Sequence, residues 1–212
     1  MSRCCSREYE SFFGERTARR DARRYERRGL DRTSRRVFDE VVRHGVAGHS
    51  VLEVGGGVGA VPLELLRAGG SAATVVEMSP GYDDAARRLA AQAGLDDRMT
   101  RRVGDFAAAG DIAPADVVVL NRVLCCDPDG PRLAGVAARH ARRIVVMTYP
   151  RAAWWTRSAF GAMNLVLSLR RRMFRVYVHP PEAIAAAADA EGLTPDRLER
   201  GLVWELRSFV RP

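Results

Sequence analysis

Val51-Leu52-Glu53-Val54-Gly55-Gly56-Gly57-Val58-Gly59 decides how the chain is read. Ser50–Val54 is a short apolar run that ends at a glycine cluster, the pattern of a buried parallel strand. Helical spacing resumes at Val58 and runs to Ala68, where Gly69-Gly70 stops it. A strand, a bare backbone turn and a helix therefore follow one another. Such a turn lets a ligand approach the backbone closely, with the helix N–H groups facing it. Gly55, Gly57 and Ala60 also satisfy the G-x-G-x-x-G/A form of dinucleotide-binding loops, so glycine spacing alone does not choose the ligand.

The charge beside the loop discriminates. A dinucleotide brings a pyrophosphate dianion to this turn, and Glu53, two residues before the first glycine, would repel it. A ligand carrying an ammonium and a sulfonium is instead complemented by that acid, directly or through water. Here the chain resembles the class I S-adenosylmethionine-dependent methyltransferases, whose first motif is an acid followed by alternating glycines. Glu53, Gly55, Gly57 and Gly59 match it. The resemblance implies S-adenosylmethionine as cofactor. It places Glu77, at the end of the second strand, on the ribose hydroxyls, with Met78 against the adenine. It also implies that Asp105 accepts from the adenine amino group and that Phe106 flanks the ring.

Strand and helix patterns alternate outward from the loop. Ala72–Met78, Met99–Val103, Ala115–Leu120 and Arg143–Tyr149 read as strands, and Pro80–Ala93 and Pro131–Arg139 as helices. This predicts a doubly wound α/β sheet. After Trp154–Leu169, an apolar stretch at helical spacing, comes a helix over Pro181–Ala190. Two strands, Leu193–Leu198 and Val203–Val210, then lie too close together to be parallel. The resemblance implies seven strands in the order 3-2-1-4-5-7-6. The chain is read as one domain: a helical cap (1–48), a cofactor-binding core (49–150), a lid insertion (151–180) and a closing α-β-β unit (181–212). In the cap, Glu15–Arg28 is a highly charged helix. Asp31 or Thr33 caps a second helix to about His44, with Val37, Val41 and Val42 on its buried side.

Strand four delivers Asn121-Arg122-Val123-Leu124-Cys125-Cys126-Asp127-Pro128 to the reaction side. Asn121 is a candidate for touching cofactor or acceptor, and Asp127, Tyr149 and His179 for handling a proton. The Asn/Asp-Pro-Pro-aromatic segment of adenine and glutamine N-methyltransferases is absent, as is the Pro-Cys of RNA cytosine-C5 enzymes. Cys4-Cys5 and Cys125-Cys126 would suit a soft ion if the N-terminal arm folded over the site. Adjacent cysteines lack the usual zinc spacing, and no metal is expected.

The formal charge is +8, and every basic residue apart from histidine is Arg. Coding bias and a surface for anionic partners both fit this composition. The expected acceptor is a small molecule, apolar or aromatic and able to carry an anionic group, under a lid whose Arg170–Arg172 would hold a carboxylate or phosphate. The layout resembles carboxyl O-methyltransferases of porphyrin precursors. RNA, with the Arg-rich N-terminal helix as a phosphate-binding arm, is the rival acceptor; DNA is not expected. An NAD-type oxidoreductase and an inactive cofactor-binding scaffold are the other readings. Residues 154–172 also suit a membrane surface or a homodimer face. No stretch is long and apolar enough for a membrane span, and MSRCCSREYE lacks the apolar core of a secretory leader, so a cytoplasmic protein is expected.

Overall fold

The computed structural model describes residues 12–212. Helices α1 (Glu15–Arg28) and α2 (Arg32–Arg43) precede a sheet. Its strands are β1 (Ser50–Val54), β2 (Ala72–Glu77), β3 (Met99–Val103), β4 (Ala115–Asn121), β5 (Ala141–Pro150), β6 (Thr194–Arg200) and β7 (Trp204–Val210). Helices α3 (Ala60–Arg67), α4 (Asp83–Gln92), α5 (Gly130–His140), α6 (Trp154–Leu169) and α7 (Pro181–Asp189) connect them. The strand order is β3-β2-β1-β4-β5-β7-β6, with β7 antiparallel to both β5 and β6.

The central strands are buried on both faces. Leu52, Val118 and Leu120 pack into one apolar layer with α5 and α7; Val51, Val75, Val117 and Val119 pack into the other with α2, α3 and α4. β6 is the opposite case. It is an exposed edge carrying Pro195, Asp196, Arg197, Glu199 and Arg200, residues that discourage pairing with another chain.

Besides shifts of one or two residues at several element ends, the structure departs from the sequence reading in three places. The helix after the glycine loop starts at Ala60 rather than Val58, because Gly59 sits in the left-handed region (φ 74°). Pro80–Tyr82 forms a 3-10 turn before α4 instead of its first α-turn. Val42 is exposed, while Val37, Glu40 and Val41 form the buried side of α2. Glu40 tolerates that position because the guanidinium of Arg43 and the hydroxyl of Ser208 donate to it.

Asp31 fixes the cover to the sheet. Its Oδ1 accepts from the N–H groups of Thr33 and Ser34, capping α2. Its Oδ2 accepts from Arg122, at the end of β4, over 2.7 Å. Burial raises the Asp31 pKa, but Arg122 and the α2 N–H groups outweigh burial and hold it below the ordinary value. Asp31→Ala should therefore destabilise the fold by about 1–2 kcal/mol, the cost of a lost helix cap. Asp31→Asn should keep most of the cap. Because the native carboxyl pKa is depressed, wild-type stability from this group is complete above the unfolded pKa and is lost as pH falls through the native one. Urea titrations at neutral and acidic pH check this: the gap between wild type and Asp31→Asn should narrow in acid.

Candidate active site

The glycine loop lies at the carboxyl ends of β1, β2 and β4, beneath α1 and α2. Gly57 has φ 53°, and a Cβ there would meet the ring of Tyr82 at 3.3 Å. At Gly56 a Cβ would lie 2.5 Å from Glu53 Oε2. The loop is thus bare because Tyr82 covers it on one side and Glu53 supports it on the other. The Tyr82 hydroxyl donates to Asp21 of α1, and the Ser79 hydroxyl donates to the Phe13 carbonyl, so the cover is tied to the β2–α4 connection that flanks the loop.

Two acids flank this backbone. Glu77 is buried and accepts from Gly57 N–H and Ser79 N–H, each at 2.9 Å. Glu53 is only 2 % exposed, and its Oε2 has no hydrogen-bond partner. Burial pushes the Glu53 carboxyl up to about 8; the Glu77 charge adds to this, and Arg101 and Arg122 oppose it. Arg101 lies below the loop, donating to the Gly57 carbonyl (3.1 Å) and to Asp83 (3.2 Å), but makes no hydrogen bond to Glu53.

A cavity of about 590 Å³ opens above the loop. Its floor includes Glu53, Gly55, Gly56, Gly57 and Glu77; Asn121, Arg122, Cys125 and Cys126 come from the end of β4. Phe12, Phe13, Tyr25 and Leu30 roof it, and Phe160, Met163 and Leu167 of α6 form a side wall. Arg20 and Arg24 of α1 reach the same rim. A smaller space of about 100 Å³ adjoins it. Met78, Asp105, Phe106, Asp127 and Leu133 line it, and the two spaces share Gly55, Val123, Cys126 and Phe174. Its largely apolar walls, with Asp105 among them, suit a planar heterocycle.

The structure brings together Glu53, Gly55, Gly57, Glu77, Met78, Asp105, Phe106, Asn121 and Asp127 along these two spaces. Gly59 lies at the start of α3, outside both linings. Asn121 is engaged at both ends: its amide donates to Ser34, and its carbonyl accepts from Thr148. Asp127 spends a carboxylate oxygen on the N–H of Asp129.

The other proton-handling candidates are placed elsewhere. Tyr149 is buried in the core beside Glu205, and burial and that carboxylate raise its pKa. The reason is β-strand alternation, which turns it away from the cavity. His179 is also outside the cavity wall; its Nε2–H donates to the carbonyls of Leu124 (3.0 Å) and Asp127 (2.9 Å), holding the loop after β4. Among the described residues no histidine lines either space.

Cys125 and Cys126 approach to 3.9 Å between sulfurs, and Cys4 and Cys5 lie outside the described residues. The thiols share one proton-donating contact, which lowers the Cys125 pKa and raises that of Cys126. Glu40, His44 and Asp196 cluster at the far side of the sheet, but Arg43 pairs with both carboxylates there and supplies the positive charge.

Arg122 was not singled out from sequence. It has φ 61°, an unfavourable conformation for a side-chain-bearing residue, at the point where β4 meets the cavity. Nothing in the sequence marks this strain. Arg101 was also missed, because an arginine in a short strand reads as an exposed residue.

No family model and no curated protein matches the chain. Solved structures do. Magnesium protoporphyrin IX methyltransferase from Synechocystis PCC 6803, with bound SAH, superposes with a TM-score of 0.69 over 85% of this chain and 82% of that one, at 19% identity. This is the class I methyltransferase fold. A putative sarcosine dimethylglycine methyltransferase from Galdieria sulphuraria gives 0.68 over 85% of each chain at 16% identity. Geranyl diphosphate C-methyltransferase from Streptomyces coelicolor A3(2), in complex with Mg2+, geranyl diphosphate and S-adenosyl-L-homocysteine, gives 0.63 over 83% and 77% at 14%. The methyltransferase fold and the strand order match the sequence expectation, including the antiparallel β7.

Glu53 makes a sign-specific pH effect. Its native pKa lies well above the ordinary 4.5, so between those values the folded state holds a proton that the unfolded state has released. Wild-type stability from this group therefore falls as pH rises from 4.5 towards 8. Gln cannot titrate. The melting temperature of Glu53→Gln minus that of wild type should grow by several degrees between pH 5 and pH 8.5, at roughly 2–4 °C per kcal/mol. Differential scanning calorimetry across that range measures the gap.

Proposed function

We propose that the chain transfers a methyl group from S-adenosylmethionine to a small, largely apolar acceptor bearing an anionic group. The observation that carries the reading is Glu53: a buried carboxyl group with an unpartnered oxygen beside a bare backbone turn. A cationic donor gives the ionised form of this group the partner it lacks, whereas a diphosphate gives it none. The methionine moiety then lies over Gly55–Gly57, the ribose near Glu77, and the adenine between Met78, Asp105 and Phe106. Solved methyltransferases of the same fold carry bound SAM or SAH, which supports the choice of donor.

The donor supplies an activated methyl. In-line displacement then needs a nucleophile held at attack distance, and the chain's part is positioning. The aromatic roof and the α6 wall would hold an apolar body. Arg20, Arg24 and Arg122 would hold an anionic group at the rim. An acceptor that is already nucleophilic, such as a carboxylate, fits this division of labour, since it needs no base.

Isothermal calorimetry tests the donor. S-Adenosylmethionine should bind and NAD should not. Glu53→Gln should weaken that binding by about tenfold to a hundredfold, the worth of a charge-assisted hydrogen bond. Gly57→Val, which strains a φ of 53° and presses on Tyr82, should reduce it at least tenfold (about 1.4 kcal/mol) while circular dichroism stays native. Preference for NAD, or native affinity in both variants, would overturn the assignment.

A further inference from the structure

The outer side of α6 is unlike the rest of the surface. Over its sixteen residues only Thr156 is buried. At helical spacing, Phe160, Met163 and Leu167 turn to the cavity. The opposite side carries Trp154, Ser158, Gly161, Ala162, Leu165, Val166 and Leu169, all exposed and none charged. Trp154 is 76 % exposed, Leu165 61 % and Leu169 76 %. The β6–β7 turn extends this surface: Leu202 is 78 % exposed, and its carbonyl accepts from the Trp155 indole. A helix apolar on both sides has its second face against something other than water.

Charge identifies what. Between Asp129 and Glu182 the chain contains no acidic residue. Around α6 it contains Arg151, Arg157, Arg170, Arg171, Arg172 and Arg175. Arg157, Arg170 and Arg171 are exposed beside the apolar face. No helix among the described residues is long and apolar enough to cross a membrane. A sixteen-residue helix with an uncharged face, a Trp at one end and arginines at the other instead lies flat in a bilayer interface.

We propose that α6 and the Leu202 turn dock this protein on an anionic lipid surface, with Arg157, Arg170 and Arg171 against the headgroups. The apolar face gives insertion and the arginines give preference for anionic lipid. The docked helix then stands between the bilayer and the cavity that its inner side walls. Docking requires no methyl transfer and is tested without it.

The experiment is co-sedimentation with vesicles of phosphatidylcholine alone and of phosphatidylcholine mixed with phosphatidylglycerol. Wild type should bind the mixed vesicles at least tenfold more tightly, with a blue shift of tryptophan fluorescence, and should be released by added salt. Leu165→Glu/Leu169→Glu should lose the binding and the blue shift while keeping the wild-type melting temperature. Arg170→Gln/Arg171→Gln should weaken binding to the mixed vesicles only. Equal affinity for neutral vesicles, or none for either, would overturn the proposal. So would a wild-type dimer in sedimentation velocity that Leu165→Glu/Leu169→Glu dissociates, since the occupant would then be a second copy of the chain.

Discussion

A carboxylate oxygen with no donor, sealed beneath a turn of bare backbone, is the constraint on which the rest of this molecule is arranged. Burying Glu53 with an unpartnered oxygen costs free energy that Arg101 and Arg122 offset only in part. Arg101, the cation that most opposes this burial, is held by Asp83 and the Gly57 carbonyl. The group is therefore poised for a ligand cation, and the burial that destabilises the empty site strengthens the attraction once that cation arrives.

The cover over this site is fixed by polar ties rather than by apolar contact alone. Asp31 caps α2 and grips Arg122; Ser34 takes the amide of Asn121; Asp21 takes the hydroxyl of Tyr82. Each tie joins the helical cap to the end of β4 or to the turn after β2. The left-handed backbone of Arg122 belongs to this arrangement, because the residue is bound both through its guanidinium to Asp31 and through its N–H to Thr148. A cavity with aromatic roof and arginine rim results from helices pinned at a few points above the carboxyl ends of the central strands.

Much of this was legible in the sequence. The strand–glycine–helix segment, the alternation after it and the closing antiparallel pair follow from hydrophobic periodicity and turn chemistry, signals that act locally. Asp31 as a cap and α6 as a helix over Trp154–Leu169 were legible for the same reason. What depended on the third dimension was not. The pleat directs Tyr149 to the core, and His179 is used up on two carbonyls of a loop some fifty residues earlier. Val42 shares an apolar name with its neighbours but falls on the open side of α2. Arg101 and Arg122 matter through long-range pairing, which no spacing in the chain announces.

The most direct measurement is the number of protons released when S-adenosylmethionine binds, read from binding enthalpies at pH 7 in buffers of different ionisation heat. With the empty-site carboxyl near 8, a cationic ligand must drive its proton off, so about one proton per site should leave. Binding with no buffer dependence would mean that the acid beneath the turn does not meet the ligand's positive charge, contradicting the account.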